Sequence, residues 1–195
     1  MRTFLFTLLL ILIFHSLSNA NDIKDFEIEN VSLGDSLLKH YDKDEIKILK
    51  KKKITYPNKE FYDLQLDVNN FEIWPFLSFS IRKDDQNLII HALAGGKLMD
   101  IEECKLLKKQ IIKDLKSAFF SKVKENKYDY TYDNIADGKS IAYISDFFLS
   151  NGNLRVYCTD WSRIAETEEG FGDSLRLEIG TLEYFDWLRT KAYND

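Results

Sequence analysis

Two copies of a short motif place a serine beside an acidic residue, Gly34-Asp35-Ser36-Leu37 and Gly172-Asp173-Ser174-Leu175. The chemistry this invites is acyl transfer, with the serine hydroxyl attacking a carbonyl. Such an attack needs a base to take the proton, usually a histidine held by a carboxylate, and donors placed for the oxyanion. The chain has His15, His40 and His91, and no histidine beyond residue 91. Neither serine therefore has an evident base. Simple punctuation of the chain accounts for both copies: a helix starts after Ser32, and a strand starts after Gly172.

Metal chemistry is no better served. His40 and His91 stand alone, and His91 falls in an apolar strand pattern. Asp129, Asp133 and Asp137-Gly138 hint at a calcium loop. The sixth position from Asp129 is Asn134 where the turn needs glycine, and the twelfth is Ser140 where it needs glutamate. Gly95-Gly96-Lys97 lacks the rest of a phosphate loop and reads as a turn. No metal and no cofactor is expected.

Two further constellations remain. Cys104 and Cys158 each fall on the apolar side of their element, so both point at one helix–sheet interface. A disulfide is expected there, with two buried free thiols as the alternative. Neither cysteine has a Cys-x-x-Cys partner or a nearby base that would make it catalytic. The second constellation is Asp160-Trp161-Ser162-Arg163, at the end of a strand that enters an acidic loop. Asp160, Trp161 and Arg163 are the candidate residues for binding a partner or ligand. The plainer alternative is that Trp161 caps the core.

The elements that must position these residues follow from periodicity. An extended lead-in covers Asp22–Leu33. Ser32 then caps a short helix, with Asp35 as its capping-box partner and Leu37, Leu38 and Tyr41 inward. A second short helix spans Asp42–Lys50, and its lysine-rich end continues to Lys53 as a solvated helix terminus. Period-two alternation marks strands at Tyr62–Val68, Leu77–Arg82 and Leu88–Leu93, with Gly95-Gly96 ending the sheet. A long helix capped by Asp100 carries Ile101, Cys104, Leu107, Ile111, Leu115 and Ala118 on one face and runs to about Asn126. Lys127–Lys139 reads as a polar, tyrosine-rich connection. Strands return at Ser140–Leu149 and, across an Asn151-Gly152 hairpin, at Leu154, Val156 and Cys158, with Arg155, Tyr157 and Thr159 opposite. Ser162–Asp173 reads as a loop, and Leu175, Leu177 and Ile179 as a last strand. Thr181 caps a closing helix with Leu182, Phe185 and Leu188 inward. The expected fold class is α+β: two antiparallel three-stranded meanders with a long central helix, short N-terminal helices and a C-terminal helix. Residues 21–195 then form one domain, with helix-plus-meander halves at 21–98 and 99–195.

Met1–Ala20 has the three parts of a secretory signal: Arg2, the apolar run Phe4–Phe14, and Ser18-Asn19-Ala20 with small residues at −3 and −1. A mostly apolar run of eleven residues falls short of the roughly twenty needed to span a bilayer core. No cysteine lies near the cleavage site to accept a lipid. The expected mature chain begins at Asn21 and works in the periplasm or outside the cell, without stable membrane insertion. The whole chain has net charge −5, and removing Arg2 with the signal leaves −6. That balance argues against nucleic acid as a partner. Asn30-Val31-Ser32 matches a glycosylation acceptor, which carries meaning only in a eukaryotic secretory route.

Gly34–Leu37 resembles the nucleophile motif of GDSL-type hydrolases, a resemblance of four residues that implies a secreted serine esterase with Ser36 as nucleophile. That family also has an Asp-x-x-His segment near the C-terminus and a Gly-x-Asn-Asp-like block, and this chain has neither. A longer resemblance rests on Ile28-Glu29-Asn30-Val31-Ser32-Leu33-Gly34-Asp35-Ser36-Leu37-Leu38, with Cys158-Thr159-Asp160-Trp161-Ser162 and Tyr184-Phe185-Asp186-Trp187-Leu188. These segments resemble exported proteins of marine alphaproteobacteria, a group with no established activity. The resemblance implies a periplasmic setting and a paired cysteine. The leading expectation is a non-catalytic binding protein of the periplasm whose ligand is a protein or small molecule. A GDSL-type esterase and an envelope structural or assembly factor are the other two readings. The signal reading has a direct check: the intact mass of exported material should lack Met1–Ala20, and a soluble product retaining that segment would overturn it.

Overall fold

Alternating side chains dominate the chain, and the computed structural model, which describes residues 22–67, 73–118 and 123–194, is accordingly built around a sheet. A 3-10 turn at Ile23–Asp25 leads into a small hairpin, β1 (Glu27–Ile28) and β2 (Val31–Ser32). Glu29 and Asn30 at its tip both have positive φ (52° and 62°), the backbone a two-residue hairpin turn requires. A second 3-10 turn, Leu37–Lys39, precedes helix α1 (Lys43–Lys51), which Asp42 and Glu45 close with a reciprocal capping box. Then come β3 (Ile54–Thr55), β4 (Phe61–Asp67), β5 (Phe76–Arg82) and β6 (Ile90–Leu98). Helix α2 (Ile101–Ala118) is followed by β7 (Glu125–Thr131), β8 (Ile141–Phe148) and β9 (Gly152–Asp160). Helix α3 (Arg163–Glu169), β10 (Ser174–Thr181) and α4 (Leu182–Thr190) complete the order.

The expected pair of three-stranded meanders around a long central helix is not what forms. Strands β3 to β10 make one eight-stranded antiparallel sheet in the order β3-β4-β5-β6-β10-β9-β8-β7. The last strand returns to the middle and pairs with β6 over seven registered positions, from Ser174 opposite Leu98 to Gly180 opposite Ala92. Sequence alternation reports which strands exist and says nothing of which edges join, so this merger was invisible to it.

Register puts one apolar row straight across six strands: Leu64, Phe79, Leu93, Ile179, Leu154 and Phe147. All six are at most 1% exposed. At roughly 1.5–3 kcal/mol for each fully buried large side chain, this row alone contributes on the order of 10 kcal/mol. Cys104, Ile111 and Ile112 of α2, Ile46 and Leu49 of α1, and Ile28, Val31 and Leu33 of the N-terminal hairpin join the same core. The Cys104–Cys158 disulfide staples α2 to β9 there, with Cα atoms 5.9 Å apart. On the opposite face α4 covers one end of the sheet. Tyr184, Phe185 and Trp187 pack on Phe61 and Ala92, and a Cβ at Gly180 would meet the Phe185 ring at 2.8 Å.

Several local expectations are corrected. Gly95-Gly96 does not end the sheet; β6 runs through both. Their missing side chains make room for two rings, because an added Cβ would stand 2.6 Å from Trp74 at Gly95 and well inside Phe76 at Gly96. The connection at Lys127–Lys139 begins as β7, an edge strand exposed on both sides and therefore without apolar alternation. Helix α2 does not reach the expected Asn126, which lies in β7; it is described to Ala118, and residues 119–122 lie outside the described residues. Ser32 belongs to β2 and caps nothing; Ser36 is the cap, accepting from the Leu38 N–H. Leu38 and Leu182, expected inward, are about half exposed, at 47% and 46%. The expected loop Ser162–Asp173 contains α3, capped by Ser162 and ended by Gly170 at φ 73°. Met1–Ala20 and Val68 lie outside the described residues. Among the described residues no helix is long and apolar enough to cross a membrane.

The staple closes a loop between positions 54 residues apart. Replacing both cysteines by alanine should lower unfolding stability by about 4 kcal/mol in the chain-entropy treatment. Denaturant unfolding of the double variant measures this, and an unchanged midpoint would show that α2 is held by packing alone.

Candidate functional site

The three residues singled out for binding do not share one surface. Asp160 shares with Cys158 the α2 face of the sheet. Trp161 turns the other way. Its indole is sandwiched, stacked on Tyr132 (centroids 4.9 Å, planes at 23°) and on Phe171 (4.3 Å, 21°). Its backbone N–H donates to Asp173 Oδ1 at 2.7 Å. Both faces of the ring are thus occupied, and the outward platform of the stack is Phe171, 40% exposed. Arg163 opens α3, exposed, and among the described residues no ion pair joins it to Asp160.

Beside this stack lies a polar strip on the face that α4 covers in part. Its floor comes from strands in the middle of the sheet, where interior positions alternate between the two faces. Asp146, Arg155 and Glu178 stand in register on β8, β9 and β10, and Tyr157 stands opposite Arg176. Arg155 is held through two of its nitrogens: it donates from Nε to Asp146 Oδ1 at 2.7 Å and from a terminal nitrogen to the Tyr128 hydroxyl at 3.1 Å, while Tyr128 donates to Asp146. Burial works against its charge, but the bonded Asp146 and the nearby Glu178 outweigh that and raise its pKa.

Arg176 and Glu178 are different. Among the described residues no side-chain hydrogen bond or ion pair holds either of them, and the buried Nε of Arg176 is without an acceptor. Glu178 is 6% exposed, and burial raises its pKa against the opposing fields of Arg176 and Arg155. Arg176 loses by burial and gains more from Tyr157, Glu178 and Asp63, so its pKa rises. Tyr157 is pushed up by burial. Arg176 and Tyr157 are each only partly exposed. Ser78, two strands away and 5% exposed, presents a further hydroxyl with no partner. At one end of the strip, Tyr56 donates to Asp63 at 2.7 Å and packs edge-on against Tyr193. At the other end Tyr132 brings the Trp161 stack alongside Thr159 and Arg176.

Sequence reasoning placed Arg155, Tyr157 and Thr159 on the face opposite Cys158, and β9 bears this out. It passed over Arg176 and Glu178, although their signal was present. Strands at the centre of a sheet are largely covered on both faces, and charges alternating with Leu175, Leu177 and Ile179 on such a strand need partners or a purpose. Among the described residues no group of three His, Cys, Asp or Glu side chains is arranged to hold a metal.

The Ser36 region is organised for structure. Its hydroxyl donates to the Asn87 carbonyl at 2.5 Å and accepts from Leu38, tying the 3-10 turn to the loop before β6. Asp35 does face His40 at 3.0 Å, and it also binds Lys39 at 2.6 Å, which holds its carboxyl below the usual range. A triad would need His40 on the serine oxygen, and that oxygen is committed to backbone. Ser36→Ala should cost about 1 kcal/mol of stability through the lost cap and abolish no activity. An ester substrate turned over by the wild type and not by this variant would reverse that reading.

No protein-family model matches this chain, and no curated protein and no solved structure matches it either, so the strip is read on its own chemistry.

Proposed function

We propose that this is an exported, non-catalytic binding protein of the periplasm, and that the strip around Arg176 and Glu178 is its ligand site. Export rests on the signal pattern in Met1–Ala20; the disulfide suits an oxidising compartment. The observation that carries the binding reading is the pair of half-buried Arg176 and buried Glu178, oppositely charged and without side-chain hydrogen-bonding partners among the described residues. Stability alone does not favour such a pair, because burying charge is repaid only when its hydrogen bonds are satisfied. A ligand can satisfy both. The guanidinium fork suits an anionic oxygen pair, and the carboxylate suits a donor or cationic group. Their separation of two positions along one strand sets the two contacts about 7 Å apart. The ligand class this fits is zwitterionic and amino-acid-like, with an apolar part resting against the Tyr132–Trp161–Phe171 stack.

The test pairs binding with stability. Titration of the purified protein with a panel of free amino acids and dipeptides should find saturable binding. Arg176→Met combined with Glu178→Gln should abolish it and leave stability unchanged or raised by up to about 3 kcal/mol, as removal of unsatisfied buried charge does. A double variant that binds as the wild type does, or one destabilised by several kcal/mol, would show the pair to be structural.

A further inference from the structure

The sheet carries a second feature on its other side, along the flank of α2. Residues Lys105, Lys108, Lys109 and Ile112 fall at i, i+3, i+4 and i+7, one edge of the helix. That edge faces β7 and β8, where register directs Lys127, Asp129, Tyr143 and Ser145 to the same side of the sheet. Between them lies a groove of about 320 Å³ lined by all four lysines, with Asp129 and Tyr143. A chain of net charge −5 has thus gathered four ammonium groups against one lining carboxylate.

Internal partners use up only part of this charge. Lys105 reaches Glu102 at 2.9 Å and lies over the Tyr143 ring at 4.5 Å. Lys127 reaches Glu125 at 3.4 Å, and Glu125 is shared with Lys116 at 2.5 Å. Lys109 has no ion pair among the described residues. Lys108 sits deepest, donating one of its three protons to the Tyr143 carbonyl at 2.7 Å. Burial is the main influence on its amine and Lys127 adds to it. Glu125, Asp129 and Asp146 pull the other way, and the result is a pKa near 8. The remaining groups facing it are Lys105 and Lys109 on its own helix. Like charges held together at a partly buried site raise the energy of the free protein, and a bound anion relieves that.

We propose that this groove binds a doubly charged tetrahedral oxyanion, a phosphate or sulfate group. Lysine ammoniums act as compact point charges, which suits a tetrahedral anion; planar carboxylates are better matched by the guanidinium fork. Tyr143 and Ile112 give the same groove an apolar wall, so an ester of phosphate can be seated as well as the free ion. The site lies on the opposite face from Arg176 and Glu178 and stands independently of the ligand proposed there.

The experiment is an amide NMR titration of the full folded chain at low ionic strength, with inorganic sulfate in one arm and phenyl phosphate in another. Saturable shifts at millimolar concentration should localise to 105–112, 127–129 and 143–145. Lys109→Gln combined with Lys127→Gln should weaken binding roughly tenfold or more while the remaining spectrum stays native. Tighter binding of phenyl phosphate identifies an ester as the source, and equal affinities identify the free ion; both support the site. A second readout uses sulfate, which has no proton to exchange near pH 8. Calorimetry in buffers of different ionisation heat should then show uptake of a fraction of a proton, and Lys108→Met should remove that uptake. Shifts scattered over the surface, no saturation, or equal affinity in wild type and double lysine variant would each overturn the proposal.

Discussion

The row Leu64–Phe79–Leu93–Ile179–Leu154–Phe147 is the constraint on which the rest of this fold depends. Each member sits on a different strand, and each buries its side chain only if every strand keeps its register. A slip of one residue anywhere would turn that strand's apolar set toward the other face. The row also fixes where β10 must go. Ile179 fits only between Leu93 and Leu154, so the last strand closes the gap between β6 and β9 and merges what local pattern suggests are two smaller sheets. Burial of the row, together with the α2 staple on Cys158, leaves the helices little choice of side.

The opposite face is then free to be irregular, and its composition follows from that freedom. Strand β6 contributes Ala92, Ala94 and Gly96 there, small residues that let the Phe76 and Phe185 rings come close and leave the neighbouring β9 and β10 to supply the bulk. Those two strands answer with Arg155, Tyr157, Arg176 and Glu178. The edges are treated differently again. Strand β7 carries Glu125, Lys127 and Asp129 on one side and Asn126, Tyr128 and Tyr130 on the other, and β3 is only two residues long. Short or charged edges discourage pairing with other chains.

Legibility in the sequence tracked this division. Elements whose sequence alternates apolar and polar residues announced themselves, β4, β5, β9 and β10, as did the capped helices α1 and α4. The disulfide was legible because Cys104 and Cys158 each occupied an apolar phase of a clear period. Strand β7 was not, because an edge strand exposed on both sides has no apolar phase to read. Gly95-Gly96 misled for the opposite reason, since glycines that admit Trp74 and Phe76 look locally like glycines that end a strand. The candidate site was half legible. Arg155, Tyr157 and Thr159 were seen as the second face of β9, but only the pairing of β10 beside β9 brings Arg176 and Glu178 to them, and pairing order is a long-range property.

The contrast between Arg155 and Arg176 is what the proposed ligand site on that face rests on. Both are arginines on adjacent central strands, and both are crowded by protein. Arg155 finds Asp146 and Tyr128 in a closed set of hydrogen bonds and lays its guanidinium over the Phe185 ring, 5.3 Å from its centroid. Its Nε and one terminal nitrogen, both Asp146 oxygens and the Tyr128 hydroxyl are bonded inside the fold, which is how a stabilising buried pair is built. Arg176 has an oppositely charged neighbour two residues away in Glu178 and yet no hydrogen bond to it. Leucine or methionine at 176, opposite Gly96 on β6, would bring no charge to desolvate. The buried Nε of Arg176 is left without an acceptor, and the ligand proposed for this strip would supply the acceptor that the fold does not.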